Sequence, residues 1–242
     1  MKILLAPSET KRPDTPGLSL FEPKNLLFGE TPQRQAAIAA YDAFAQNKDI
    51  PAHSAFFGLS KPAEIAHYER PVSNAAGMKA LLRYTGVAFD YLDYPALPIA
   101  AQNWCDQNVI LFSNLLGPIK GGDLIPDYKY KQGAKLPGFA MEKIYREAFG
   151  DRLNEFLAGE TVVDLRAEWY HKIYPLAVPH VVMTFLKEGK ALSHWAKAWR
   201  GTVARAIAQS GGTELEKLTL PGLRLLEIRQ SGVKSNWIFQ IA

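Results

Sequence analysis

A single cysteine in 242 residues excludes an internal disulfide and fits a reducing, cytoplasmic compartment. Cys105 sits in Asn103-Trp104-Cys105-Asp106 with no second thiol for a zinc or redox pair, so it reads as a packed core thiol. No apolar run reaches 18 residues, so no membrane-spanning helix and no membrane partner are expected. Met1 to Pro7 is too short for a signal-peptide core and reads as a first strand. The five histidines are scattered, without His-x-x-Glu or paired-carboxylate spacing, which argues against iron storage or chelation; no metal and no cofactor are expected. There is no Walker loop, nucleophile elbow or triad order. No recognition-helix pattern suggests sequence-specific DNA reading, and no repeat is visible. Charged residues make up only 21% against 48% hydrophobic, which excludes a disordered chain.

What is present centres on Asn108 to Lys131. It opens as a buried strand, Val109 to Phe112, then enters the glycine-rich turn Gly117-Pro118-Ile119-Lys120-Gly121-Gly122-Asp123. Such a turn lets the backbone approach something closely. It ends in Tyr128-Lys129-Tyr130-Lys131, where cationic heads alternate with flat faces, a combination suited to a polyanion or nucleotide. The plain alternative is a loop leaving a sheet with a solvated lysine edge. The net charge of +4 does not by itself indicate nucleic acid. From Lys187 to Arg205, however, five basic residues face one acid, Glu188.

Elsewhere, Lys2–Ala6 reads as a strand and Thr31-Pro32 as the cap and first turn of a helix to Gln46. Ser60 with Pro62 opens a short helix through His67; Pro71 to Arg83 gives no reading. Pro98–Gln107 and Phe139–Phe149 read as helices, Thr161–Leu165 as a strand, and Glu168 to Lys172 as an aromatic turn. Val181–Leu186 is a strand with a hairpin turn at Lys187 to Lys190. Ser193 caps a helix over His194–Gln209, with Trp195, Trp199, Val203 and Ala206 on its core side and Lys197, Arg200 and Arg205 on the other. Leu223–Arg229 and Asn236–Ile241 form a terminal hairpin. Mixed strands and helices without regular alternation predict an α+β or irregular α/β fold.

Several of these segments, in order and from residue 1 to 242, carry a resemblance. Leu5-Ala6-Pro7-Ser8-Glu9-Thr10 is similar to a strand followed by Ser-Pro-Ala-Lys-Thr. Phe112 to Lys129 is similar to Leu-Ser-Gly-Leu-Tyr-Gly-Val-Leu-Arg-Pro-Leu-Asp-Leu-Ile-x-Pro-Tyr-Arg. Asp164 to Lys172 looks like Asn-Leu-Ala-Ser-x-Glu-Tyr-x-Lys, and Ala196-Lys197-Ala198-Trp199-Arg200-Gly201 matches Ala-Lys-x-x-Arg-Gly. The chain thus resembles the YaaA family of bacterial peroxide-stress proteins. It departs from the pattern at Glu9 (a family lysine), Lys120 and Lys129 (family arginines, whose bidentate fork is lost), Ala167 (a serine) and Trp169 (a glutamate, with Glu168 adjacent). The resemblance implies a single α+β domain over residues 1–242, a mixed sheet flanked by helices, and a positively charged cleft. It also implies DNA binding through a helix-hairpin-helix-like element and protection against hydrogen peroxide by limiting free iron. Gly117, Gly121 and Gly122 supply one such hairpin; Leu136-Pro137-Gly138-Phe139, before a helix, supplies another.

Two functional readings follow. In the first, double-stranded or distorted DNA lies on Arg83, Lys120, Lys129, Lys131, Lys135, Lys172, Lys197, Arg200 and Arg205, with Tyr128, Tyr130 and Trp199 interleaved. In the second, a small anionic or nucleotide-like substrate enters a pocket formed by Ser8, Arg83, Tyr84, Asp164, Glu168, Tyr170, Lys172, Lys197 and Arg200. There Lys197 or Lys172 would serve as a base once burial lowers its pKa. A deep pocket favours the second reading and a long open basic groove the first. No protein partner is inferable.

Overall fold

The computed structural model describes residues 1–15, 18–191, 195–213 and 215–241; Ser193, the expected cap, lies outside them with Leu192 and His194. Lys2–Leu5 forms β1. Thr31 caps α1 (Pro32–Gln46) as its sequence requires, the side chain accepting the Arg34 N–H at 3.1 Å. α2 (Ile50–Phe57) is capped by Asp49, and α3 (Pro62–Tyr68) opens on Pro62 without a side-chain cap from Ser60. The unread segment before Tyr84 holds β2 (Met78–Lys79) and α4 (Ala80–Arg83). α5 (Val87–Leu92) and α6 (Ile99–Asn108) lead into β3 (Val109–Ser113). The glycine-rich turn is itself a strand, β4 (Gly117–Lys120), which folds back on β3. β5 (Leu124–Ile125) pairs with β2. α7 (Met141–Leu157) runs well past the expected end at Phe149. β6 (Val162–Leu165) precedes α8 (Glu168–Ile173), a helix where the sequence predicts a turn. β7 (His180–Lys187), β8 (Lys190–Ala191), α9 (Ala196–Gln209), β9 (Leu223–Ser231) and β10 (Lys234–Ile241) complete the order.

Among the described residues, eight strands make one mixed sheet in the order β4-β3-β1-β6-β7-β10-β9, with β8 against β7. β3, β1, β6, β7 and β10 run parallel, while β4, β8 and β9 are antiparallel additions. The fold is α+β, as expected. β1 sits at the centre, and both of its faces are covered. Ile3 and Leu5 pack with Leu111, Val163, Tyr41 and Val203 on one side, and Leu4 packs with Ile110, Phe112, Phe149 and Leu153 on the other. A strand buried on both faces is apolar throughout, which is why Ile3-Leu4-Leu5 and Val109 to Phe112 read as continuous runs. α7 and α8 cover one face; α1, α6 and α9 contribute to the other core.

α9 packs closely on α5. A Cβ at Gly201 would stand 2.1 Å from the Ala88 carbonyl oxygen, so only glycine allows this approach. Val203 is buried and Trp199 half-buried, as the helical spacing requires, but Trp195 is 59% exposed and is not a core residue. It lies at the N-cap of α9, before the amphipathic face begins.

Arg34 links the first helix to the central hairpin. Wholly buried, its guanidinium donates to the carbonyls of Leu27, Gly29, Leu116 and Pro118. Arg34→Ala is expected to cost roughly 3–5 kcal/mol in urea denaturation, because several buried carbonyls lose their donor together. A loss below about 1 kcal/mol would show that these carbonyls find other donors.

Candidate active site at the carboxyl edge of the sheet

From β1 the chain passes to β3 on one side and later to β6 on the other. The strand order therefore reverses between β1 and β6, and the loops leaving the carboxyl ends of parallel strands at such a reversal form a natural crevice. The loop after β1 carries Ser8, Glu9, Thr10 and Lys11. Ser8 Oγ accepts the Thr10 amide at 3.2 Å and lies 3.0 Å from Thr10 Oγ1, which donates to Thr85 O at 3.1 Å. Gly86 makes room for both hydroxyls: its φ is +101°, and a Cβ there would meet Ser8 Oγ at 3.3 Å.

Lys11 is the residue this loop presents. Its ammonium stands 4.0 Å from the centre of the Tyr128 ring and 5.0 Å from that of Tyr84, with Ser8 O at 3.4 Å. Burial lowers its pKa from the ordinary 10.5 to about 7; the Asp127 carboxylate opposes the shift, while Lys129 and Arg83 reinforce it. Below the lysine runs a line of hydroxyls. Tyr84 Oη is 2.9 Å from Tyr128 Oη, which is 2.6 Å from Ser113 Oγ at the end of β3. Ser113 Oγ also accepts the amides of Leu115 and Leu116 at 3.2 and 2.8 Å. Asp127, only 2% exposed, meets His67 Nε2 at 2.7 Å through Oδ2, while its Oδ1 has no partner among the described residues.

The end of β6 supplies a second polar group. Asp164 is buried, which opposes its charge, but two bonds from the Arg166 guanidinium (2.8 and 2.7 Å) overcome this and hold its carboxyl well below the usual carboxylate range. His171 Nε2 is 3.4 Å from Asp164 Oδ2. Arg200 reaches toward the same carboxylate from α9; burial lowers its pKa, and among the described residues it has no hydrogen-bonded acceptor.

Beyond Ser113 and Asn114 opens a cavity of about 810 Å³. Its walls include Tyr130, Phe139, Tyr145, Trp169, Tyr170 and Tyr174, and Lys135, Lys143 and Arg146 stand at its exposed mouth. Asn114 joins two walls: its Oδ1 accepts the Tyr170 hydroxyl at 2.9 Å, and its Nδ2 donates to Tyr130 O at 3.3 Å. Among the described residues no three of His, Cys, Asp and Glu gather as metal ligands would.

Residues 1–224 match the family model for the peroxide stress protein YaaA. The chain belongs to the YaaA family. The uncharacterized protein Cj0984 of Campylobacter jejuni is 36% identical over 245 residues, covering 100% of this chain and 99% of that protein. The UPF0246 protein CE1889 of Corynebacterium efficiens is 34% identical over 221 residues, 87% of this chain and 86% of its own. The UPF0246 protein Bpet1601 of Bordetella petrii is 29% identical over 156 residues, 59% and 61% of the two chains.

The structure sorts the residues expected from the sequence. Ser8, Tyr84, Asp164 and Tyr170 gather at the carboxyl edge, with Arg200 beside Asp164. Glu168, at the start of α8, is exposed. Arg83 is a structural residue: fully buried, it donates to the carbonyls of Arg12, Ala76 and Ile125 and pairs with Asp14 at 2.7 Å. Tyr128, Lys129 and Tyr130 are buried rather than displayed, because this segment crosses the sheet edge with its rings turned into the core. Lys129 Nζ donates to Glu9 O at 3.3 Å, and Glu9 Oε1 accepts the Gln132 amide at 3.0 Å. Glu9 thus holds the covering loop in place. The amides of the glycine turn are already used: Gly121 N–H donates to Val109 O and Gly122 N–H to Asp106 O. Lys120 pairs with Ile110, toward the opposite edge of the sheet from Ser113. Arg205 donates to the carbonyls of Leu92 and Asp93 at the end of α5. Lys131, Lys135, Lys172 and Lys197 are exposed.

Lys11, Asp127 and Asn114 were missed by sequence reasoning. Lys11 takes up its proton near pH 7 when folded and near pH 10.5 when unfolded, so stability at this residue rises with pH across that window and its burial cost is complete below it. Lys11→Met is therefore expected to exceed the native chain in stability at pH 6.5 by on the order of 2–4 kcal/mol, with the gap closing toward pH 10. A pH-independent gap, read by urea denaturation at several pH values, would refute the lowered proton affinity.

Proposed function

We propose that this YaaA-family chain acts on a small anionic, nucleotide-like substrate in the crevice at the carboxyl edge, with Lys11 as its general base or nucleophile. The observation that supports this reading is a half-buried ammonium set against two tyrosine rings, 4.0 and 5.0 Å from their centres, whose pKa burial lowers to about 7. A lysine so placed is half neutral at physiological pH and able to take a proton or attack a carbonyl. Arg200, which lacks an acceptor among the described residues, and His171 favour a substrate with negative charge. The neighbouring cavity supports a pocket rather than an open groove. The base assigned from sequence to Lys197 or Lys172 moves to Lys11, since both of those lysines are exposed. An amine-reactive ester at pH 7.5, read by mass spectrometry, is expected to modify Lys11 ahead of Lys131 and Lys135. A thermal-shift panel of nucleotides, sugar phosphates and carboxylates is expected to give a ligand adding about 2.7 kcal/mol at 100 times its Kd. Lys11 labelling no faster than that of the exposed lysines would reject the assignment.

A second reading rests on other residues. Lys131, Lys135, Lys172 and Lys197 are exposed and have no carboxylate within ion-pair distance among the described residues. Under it, the chain binds DNA without sequence preference through these lysines and shields it from iron- and peroxide-driven damage. Binding to a plain and a bubbled duplex is then expected to weaken linearly with log salt. Replacing the four lysines by alanine is expected to flatten that slope by about 0.9 for each phosphate that is no longer neutralised. An unchanged slope in the quadruple variant would remove this reading.

A further inference from the structure

We propose that the cavity beyond Asn114 seats the planar heteroaromatic ring of a nucleotide between aromatic walls, with its phosphate on Lys135, Lys143 and Arg146 at the mouth. The inference rests on the reading of the crevice as a small-anion site and names the part of the substrate that the crevice does not hold.

Size comes first. At about 810 Å³ the cavity lies within the range of roughly 300–1,000 Å³ typical of small-molecule sites. The wall chemistry comes next. Trp169 and Phe139 line the cavity and are only half-buried, so part of each ring remains uncovered by the protein. Every nucleobase has a π-face that stacks on such rings. Gly133 lies against the indole of Trp169, where a Cβ would stand 3.7 Å from the ring in ordinary van der Waals contact.

The floor is polar. Asn114 uses one Nδ2 hydrogen on Tyr130 O and its Oδ1 on Tyr170, which leaves the second Nδ2 hydrogen for a ring nitrogen or carbonyl. At the mouth, three cations face one carboxylate, Glu142. Lys143 is only loosely held by Glu147 at 4.0 Å, and Arg146 donates to the Lys172 carbonyl, which fixes its guanidinium at the rim. A polar floor, apolar walls and a cationic rim match the order of base edge, base face and phosphate. The floor residue Ser113 is also hydrogen-bonded to Tyr128, one of the two rings under Lys11, so the cavity and the crevice share a wall.

Calorimetric titration of the full chain with AMP, GMP, CMP and UMP, beside ribose 5-phosphate and the free nucleosides, tests the proposal. At least one nucleotide is expected to bind about tenfold or more tightly than ribose 5-phosphate, with that advantage lost in Trp169→Ala. Lys135→Glu/Lys143→Glu, both at exposed positions that do not threaten folding, is expected to weaken nucleotide binding severalfold and leave nucleoside binding unchanged. Saturable nucleotide binding by the native chain, with Lys11 labelled no faster than the exposed lysines, would overturn the catalytic assignment and not the seat. Ribose 5-phosphate binding as tightly as the nucleotides, no saturable nucleotide binding at millimolar concentration, or indifference of nucleotide binding to the Lys135/Lys143 charge reversal would each overturn the seat.

Discussion

The double burial of β1 is the constraint on which the rest of this molecule depends. With Ile3 and Leu5 in one core and Leu4 in the other, the strand has no face in water. The polar residues that follow it must therefore emerge together at its carboxyl end. The same holds for β3 and β6 beside it, which end at Ser113 and just before Arg166. Three apolar strands in parallel register thus deliver three polar loops to one edge, and the reversal of strand order there keeps those loops from closing over each other.

Where the fold depends on burial alone, the sequence shows it. Val109 to Phe112 and Ile3 to Leu5 are unbroken apolar runs because nothing in their surroundings tolerates a polar side chain, and Thr31 with Pro32 marks a helix start by local bonding that needs no other part of the chain. The site was only partly legible. Tyr128-Lys129-Tyr130 has the alternation of an exposed stacking platform, yet the pattern is the same when the rings point inward, and only the position of that segment over the sheet edge decides between them. Lys11 gave no signal because its character is made by Tyr84, Tyr128 and Asp127, brought from distant stretches of the chain. Trp195 was misplaced for the opposite reason: helical periodicity was extended two residues ahead of the helix, which begins at Ala196.

Charge is treated unequally across the edge. Asp164 receives two guanidinium bonds and remains charged at low dielectric, whereas Lys11 has one backbone carbonyl at 3.4 Å, two ring faces and a carboxylate beyond ion-pair distance, and gives up its proton readily. Glu9, two residues before Lys11, serves as a tether for the covering loop.

The Ser113 hydroxyl has a consequence for the direction in which protons can travel. Both of its lone pairs are taken by the amides of Leu115 and Leu116, so its single hydrogen must go to Tyr128 Oη. Tyr128 Oη and Tyr84 Oη lie 2.9 Å apart, and either can be the donor of that bond. The Ser113 end of the line is locked by two peptide groups that do not titrate. The Lys11 ammonium lies over the faces of the two rings and not against their hydroxyls, so the line does not receive its proton. Any proton that Lys11 gains or loses must cross the open side of the crevice, the side on which a substrate would sit.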